Sequence, residues 1–308
     1  MDGRISKNLI KIIFIFYKMN TIKMSVKKFM KINFNKIISK QSKASLKKCK
    51  PFKDKENLHL SKLIQHKYEL HKQKEMMLTK KKTPFIIGIN GSVSCGKSYT
   101  AQSIYDVLQC LNVKKTVVIL SSDNFIFSNK FLKKKGLSSQ KGYPKGYNWK
   151  LLFKTLNKIT RNESVEMSFY DQSLSDIHPS KKITIPKNID ILILEGINII
   201  RPNCKNNFDR YLLSDYLDYS IYIYVGETIL RDWFYKRLLQ KRKVWKKNGT
   251  RKKLTNISKG KFKKISNHVW TKYNKKNLEK FIRPYKYRTD IIIHNDKNHK
   301  FSTFEFIL

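Results

Sequence analysis

Along the chain, apolar runs too short for helices alternate with longer stretches of helical period. Phe85 to Ile89, Thr116 to Leu120, Asp190 to Gly196 and Ser220 to Val225 are nearly continuous Ile, Val and Leu, the pattern of strands buried on both faces of a parallel sheet. Between and around them, Tyr99 to Leu111, Trp149 to Ile159 and Glu227 to Arg242 carry apolar side chains at helical spacing. A further helix is predicted over 58 to 78, where Leu60, Leu63, Ile64, Tyr68 and Leu70 recur near one face. Parallel strands need helical crossovers, so this order defines an α/β domain. Asp290 to His294 and Phe301 to Leu308 alternate like a closing antiparallel pair. The expected architecture is three layers around a mostly parallel central sheet, with a C-terminal antiparallel hairpin and an N-terminal helical extension.

The remaining segments set the boundaries. Residues 1 to 50 are Lys-rich and almost free of acid, and their apolar stretch, Leu9 to Tyr17, is broken by Lys11 and too short to span a bilayer. This segment is expected to be a basic extension, poorly ordered or helical; its Lys and Ile are unlike the Arg and Ser of a transit peptide. The main domain is then 51 to 308: an N-terminal helix in 51 to 83, a core in 84 to 242, a basic mobile loop or lid in 243 to 267, and a C-terminal helix and hairpin in 268 to 308. Lys130 to Tyr147 reads as a basic, glycine-containing loop, and 165 to 185 as two short strand-like pieces around SFYDQSLSDIHPS, a polar insertion suited to gripping a small substrate.

Composition narrows the function less than its extremes suggest. A 308-residue chain that is 40% hydrophobic can bury a full core. The formal charge of +44 invites nucleic acid or an anionic membrane. However, Lys is spread through every segment among Ile and Asn, with no confined stripe and no nucleic-acid motif, so nucleic-acid binding is not expected. Cys49, Cys95, Cys110 and Cys204 have no paired spacing, which implies neither a zinc site nor a disulfide framework and fits a reducing cytosol. The histidines lack ligand spacing as well.

Candidate chemistry starts at PFIIGINGSVSCGKS, residues 84 to 98. Gly91, four residues, then Gly96, Lys97 and Ser98 fit GxxxxGK[ST], with a strand-like run before it and a helical pattern after it. In such a P-loop the backbone amides of Gly91, Ser92, Val93, Ser94, Cys95 and Gly96 turn inward on phosphates, Lys97 reaches the outer oxygens and the Ser98 hydroxyl can ligate Mg²⁺. Cys95 inside the loop reads either as a small filler or as a thiol activated by the electropositive amides. Two acids close apolar strands. Asp123 follows TVVIL at the end where open α/β sheets keep their ligands, and its bland alternative is a turn or cap residue. Glu195 ends DILILEG, a Walker B pattern that places an acid beside the metal. Arg237 on the long helix is either catalytic or merely solvated.

Together with these residues, SSDNF, GLSSQKGYPKGYNW, LSDYLDYSIYIYV and NLEKFIRPYKYRTDIII give a chain that resembles the bacterial type I pantothenate kinases of the P-loop kinase superfamily, from about Leu58 to the C-terminus. The resemblance implies ATP and Mg²⁺ as cofactors, pantothenate as acceptor, and a cytoplasmic homodimer with coenzyme A as feedback inhibitor. It casts Asp123 as general base, Arg237 and Lys97 as stabilisers of the transferring phosphoryl group, and Tyr170, Gln172, Phe234 and Asn277 as the residues that bind pantothenate. Gln172 stands where the family has His, Phe234 and Ser175 where it has Tyr, and Gln102 where it has Arg, so the acceptor pocket and the coenzyme A response are where this chain departs. Rival readings are a related uridine kinase or phosphoribulokinase-like enzyme, and a basic nucleic-acid-binding P-loop protein without kinase activity.

Overall fold

The computed structural model describes residues 21–33, 54–79, 82–111, 115–201 and 212–308. The apolar stretch Leu9 to Tyr17, Cys49 and Cys204 lie outside the described residues. In chain order the elements are β1 (Thr21–Ser25), α1 (Val26–Met30), α2 (Lys55–Lys74), β2 (Phe85–Gly91), α3 (Lys97–Leu111), β3 (Val117–Ser121), α4 (Asn129–Lys134), α5 (Trp149–Thr160), β4 (Val165–Asp171) and β5 (Asp176–Ile185). There follow β6 (Ile191–Gly196), β7 (Tyr219–Val225), α6 (Glu227–Lys247), α7 (Lys252–Thr255), α8 (Lys259–Val269), β8 (Ile291–Asn295) and β9 (Phe301–Ile307).

The predicted strands do form a mostly parallel sheet, in the order β1-β9-β8-β7-β2-β6-β3. Strands β3, β6, β2, β7 and β8 run parallel, and β9 closes antiparallel on β8 as a hairpin. The P-loop strand β2 is therefore central, with β6 on one side and β7 on the other. Side chains alternate across the sheet with the two-residue period of a strand. Ile87, Ile89, Ile191 and Ile193 face a core completed by Leu60 and Ile64 of α2, Ile104 and Leu108 of α3 and Leu230 of α6. Ile86, Leu192 and Leu194 face a second core with Leu152 and Leu156 of α5 and Val165 and Met167 of β4. These are the outer layers. Strands β4 and β5 pair only with each other, as a separate antiparallel hairpin.

The observed fold differs from the expected one at several places. Within the basic N-terminal segment, residues 21 to 25 are not helical: β1 pairs antiparallel with β9, Thr21 opposite Ile307 and Ser25 opposite Thr303, and extends the main sheet. Phe29 of α1 is then buried in a stack on Phe304. The expected mobile loop 243 to 267 is largely helical. Lys, Arg and Gln are good helix formers, so α6 continues past Arg242 to Lys247, where buried Trp245 anchors it, and Gly249 in the left-handed region at φ 63° ends it. Ser258 caps α8 through the Lys261 N–H, and Phe262 buries its inner face. The Lys130 to Tyr147 loop likewise holds α4 and short 3₁₀ turns. On α2, Leu70 of the predicted face is exposed while Leu60, Leu63, Ile64 and Tyr68 are buried.

Cys110 is disulfide-bonded, which cysteine spacing does not anticipate because the pairing depends on tertiary proximity. Among the described residues no helix is long and apolar enough to cross a membrane.

Candidate active site

Parallel register brings the two predicted acids to one end of the sheet. Glu195 lies opposite Ile89 of β2, two positions before that strand ends at Gly91 in the P-loop, and opposite Ser121 of β3, immediately before a 3₁₀ turn, Ser122–Phe125. The loop between β2 and α3 is built by backbone conformation. Gly91 has φ +151°, and a Cβ there would stand 2.7 Å from both the Ile223 carbonyl oxygen and Cys95 Sγ. Ser94 holds φ 63°, a left-handed conformation that L-residues rarely adopt and that concentrates at functional turns. Gly196 has a packing reason of its own: a Cβ would fall 1.8 Å from Ser122 Oγ, so only glycine lets the end of β6 touch the turn that carries Asp123.

Lys97, the first residue of α3, is buried and donates to the Ser92 carbonyl at 2.7 Å. Ser98 is exposed to the groove, and its hydroxyl and that of Ser121 favour the ionised form of the Glu195 carboxyl. Burial holds the Glu195 carboxyl above the usual carboxylate range; Lys97 opposes that shift and the neighbouring Asp123 adds to it. Cys95 is fully buried, and desolvation pushes its thiol up despite Lys97. The filler reading therefore holds and the activated thiol does not. A groove of about 450 Å³ runs over this loop, lined by Ser94, Gly96, Lys97 and Ser98 and, across from them, by Trp233, Arg237 and His299. Trp233 and His299 stack at its far side, 3.6 Å between ring centroids.

A second, smaller cavity of about 160 Å³ opens on the other side of the loop. Ser92 and Val93 line it together with Asp123, Tyr170 and Asn277. Three residues predicted from separate parts of the chain thus meet in one space. Tyr170 is fixed through its backbone N–H, which donates to Asn124 Oδ1 at 2.8 Å, and burial with Asp123 nearby pushes its phenol up. Asn277 donates to the Gly142 carbonyl at 2.9 Å while its Oδ1 is buried without a partner, an acceptor aimed at nothing in the protein.

Two predicted contacts are placed elsewhere. Phe234 does not line that cavity; it is buried with its ring 5.7 Å from Trp270. Gln172 lies beside the cavity, not in its wall, and donates to Asp123 Oδ2 at 2.6 Å, while its Oε1 accepts from Arg237 at 3.3 Å. Arg237 is thereby brought to the acceptor end through Gln172.

Sequence reading missed the cations around Gln172. Lys241 of α6 donates to the Gln172 carbonyl at 2.9 Å, and burial, Arg237 and Arg251 push its ammonium down to about 8. Lys141 reaches the Ser175 carbonyl and lies over the Tyr170 ring, 5.4 Å from its centroid. The only sequence signal for Lys241 was its helical register one turn after Arg237.

The family model described as Phosphoribulokinase / Uridine kinase matches residues 86–242. Two relatives named pantothenate kinase, from Streptococcus pyogenes serotype M49 (strain NZ131) and serotype M5 (strain Manfredo), are each 35% identical over 219 residues, 70% of this chain and 70% of the relative. Among solved structures, the D-glycerate 3-kinase from Cryptococcus neoformans var. grubii serotype A has a TM-score of 0.61 at 14% identity and covers 81% of this chain and 99% of its own. That likeness is one of fold.

Proposed function

The chain belongs to the phosphoribulokinase / uridine kinase family, and from that premise we propose that it transfers the γ-phosphoryl group of ATP to the primary hydroxyl of pantothenate, yielding 4′-phosphopantothenate and ADP. The observation that carries the proposal is the single cavity in which Asp123, Tyr170 and Asn277 meet the P-loop residues Ser92 and Val93. An acid, hydrogen-bonding partners and a phosphate cradle there share one space, which is what direct transfer between two substrates requires.

In this reading the P-loop amides and Lys97 hold the polyphosphate. The buried hydroxyls of Ser92 and Ser94, which have no protein partner, are free to donate to it. The donor set also suits Mg²⁺, a hard cation that takes one or two protein oxygens and completes its shell with phosphate and water: Ser98 lines the groove and the buried Glu195 carboxylate lies near its hydroxyl. When bound, Mg²⁺ supplies charge neutralisation on the phosphate oxygens. Asp123 takes the proton of the acceptor hydroxyl as that oxygen attacks phosphorus, Arg237 stabilises charge on the transferring group, and Tyr170 and Asn277 orient the acceptor, with the unpartnered Asn277 Oδ1 accepting from it. Gln172 contributes by ordering Asp123. We assign Phe234 a packing role under the long helix, and assign the catalytic unit to 51–308 with β1 completing its sheet. A cytoplasmic homodimer and inhibition by coenzyme A belong to the same proposal. The test is direct: the purified chain with ATP, Mg²⁺ and pantothenate should give 4′-phosphopantothenate by mass spectrometry, and its absence refutes the acceptor.

A further inference from the structure

The tip of the β4-β5 hairpin is clamped from outside along its whole length. The carbonyls of Gln172, Ser173, Leu174 and Ser175 accept, in turn, from Lys241 Nζ at 2.9 Å, from Trp245 Nε1 at 3.2 Å, from Arg251 at 3.3 Å and from Lys141. Four consecutive acceptors are thus satisfied by side chains of α6, the residue before α7, and the loop after α4. A surface turn needs none of this, because water would satisfy the same oxygens.

What the clamp fixes is the Gln172 amide. A carboxylate faces its nitrogen and two cations face its oxygen: Nε2 donates to Asp123 Oδ2 at 2.6 Å, and Oε1 accepts from Arg237 at 3.3 Å and from Lys241 at 3.4 Å. A flipped amide would aim its hydrogens at the cations and its oxygen at the carboxylate, losing every bond. Lys241 alone grips both oxygens of Gln172.

We propose that Lys241 is a positioning residue for Asp123: by holding the main-chain and side-chain oxygens of Gln172 it commits the amide to Asp123 Oδ2 and leaves Oδ1 of that carboxylate to receive the acceptor's proton. The inference rests on Asp123 being the base of the proposed reaction. Electrostatics make it readable. The groups facing Lys241 are Arg237 on its own helix, Arg251 before α7, Lys141 from the loop and Asp123 after β3; burial, helped by the three cations and opposed by Asp123, brings its ammonium down to about 8. Below that pH the bond to Oε1 is charge-assisted. Above it the bond is weakened, since neutral donors bond about half as strongly.

The test uses the full chain, ¹⁵N-labelled in Gln side chains, with Lys241→Met, Lys241→Arg and, to identify the signal, Gln172→Ala. In the wild type without substrate, the Gln172 amide resonance should move with pH with a midpoint near 8. In Lys241→Met the midpoint should vanish and the resonance should sit at an averaged position. In Lys241→Arg, always charged, the midpoint should vanish while the bonded position is retained. A Gln172 titration unchanged in Lys241→Met overturns the proposal, as does a wild-type resonance that ignores pH in this range.

Kinetics with ATP and pantothenate supply the second arm. Lys241→Met should lower kcat about tenfold, at the weak end of what a mispositioned base costs, leave KM for ATP unchanged and abolish the basic limb of the kcat profile; Lys241→Arg should restore kcat without that limb. Loss of thermal stability with kcat and the limb intact would assign Lys241 a structural role only and overturn the inference. If the wild type does not phosphorylate pantothenate, the proposed acceptor fails, and the amide titration still decides the role of Lys241.

Discussion

At the amino ends of the parallel strands three aspartates are spent on the backbone; at the carboxyl ends two acids stand beside the P-loop and its lysine. Asp190 accepts from the Thr116 N–H at 2.9 Å, Asp218 from Ile86 at 2.8 Å and Asp290 from Ser220 at 2.7 Å, each tying the start of one strand to its neighbour. Asp123, just after β3, and Glu195, near the end of β6, stand at the other end of the sheet, where Asp123 Oδ2 accepts from the Gln172 amide. The residue types barely differ. What separates a structural acid from a chemical one is which end of the sheet it occupies, because only the carboxyl ends open onto helix N-termini and the crevice between crossovers.

This contrast makes its sharpest claim at Asp123. Asp123→Ala should lower kcat by at least about 100-fold, as loss of a general base does, with ATP affinity nearly unchanged in calorimetry and the urea midpoint close to wild type. An equal loss of stability would erase the distinction between the ends. Asp218→Ala should show the converse. It leaves the buried Ile86 N–H unpaired and removes one partner of His71, 3.2 Å away, and should cost about 2 kcal/mol in urea unfolding with kcat kept within about twofold.

A pH series sharpens the amino end further. Burial lowers the His71 pKa, but its bond to Asp218 and the charges of Asp218 and Glu75 outweigh that and leave it raised above 6.5. A raised histidine favours the folded state in its charged form, so its contribution is complete below about pH 6.5 and is lost as the pH rises through its higher folded value. Urea midpoints measured across that window should fall in the wild type and stay flatter in Asp218→Ala. The smallest effect concerns Cys95 at the chemical end: buried with its thiol pushed up, it should resist iodoacetamide at pH 7 in the native protein and react only on unfolding. Rapid native labelling would mean the loop is open.

How much of this could be read from the chain follows the same division between local and distant. The P-loop was legible because its parts are contiguous and their jobs are backbone jobs, and Asp123 and Glu195 were legible because each ends its own apolar strand. Tyr170 and Asn277 came from resemblance, and the fold placed them in one cavity. The Gln172–Lys241 contact was invisible, since it joins a hairpin tip to a helix that no pattern orients toward it. For the same reason β1 was not foreseen: its partner β9 is at the other end of the chain, and pairing, not propensity, makes TIKMS a strand. Residues 243 to 267 looked mobile because Lys is polar, yet Trp245 and Phe262 anchor them and Arg242 bonds the carbonyls of Thr255 and Ile257.

The identity of the acceptor decides the function. ADP release, coupled to NADH oxidation, should be followed with ATP and Mg²⁺ against pantothenate, uridine and ribulose 5-phosphate in turn. Turnover with pantothenate, and background rates with the other two, is expected. Turnover with uridine or ribulose 5-phosphate, or none above background with pantothenate, would contradict the proposed function.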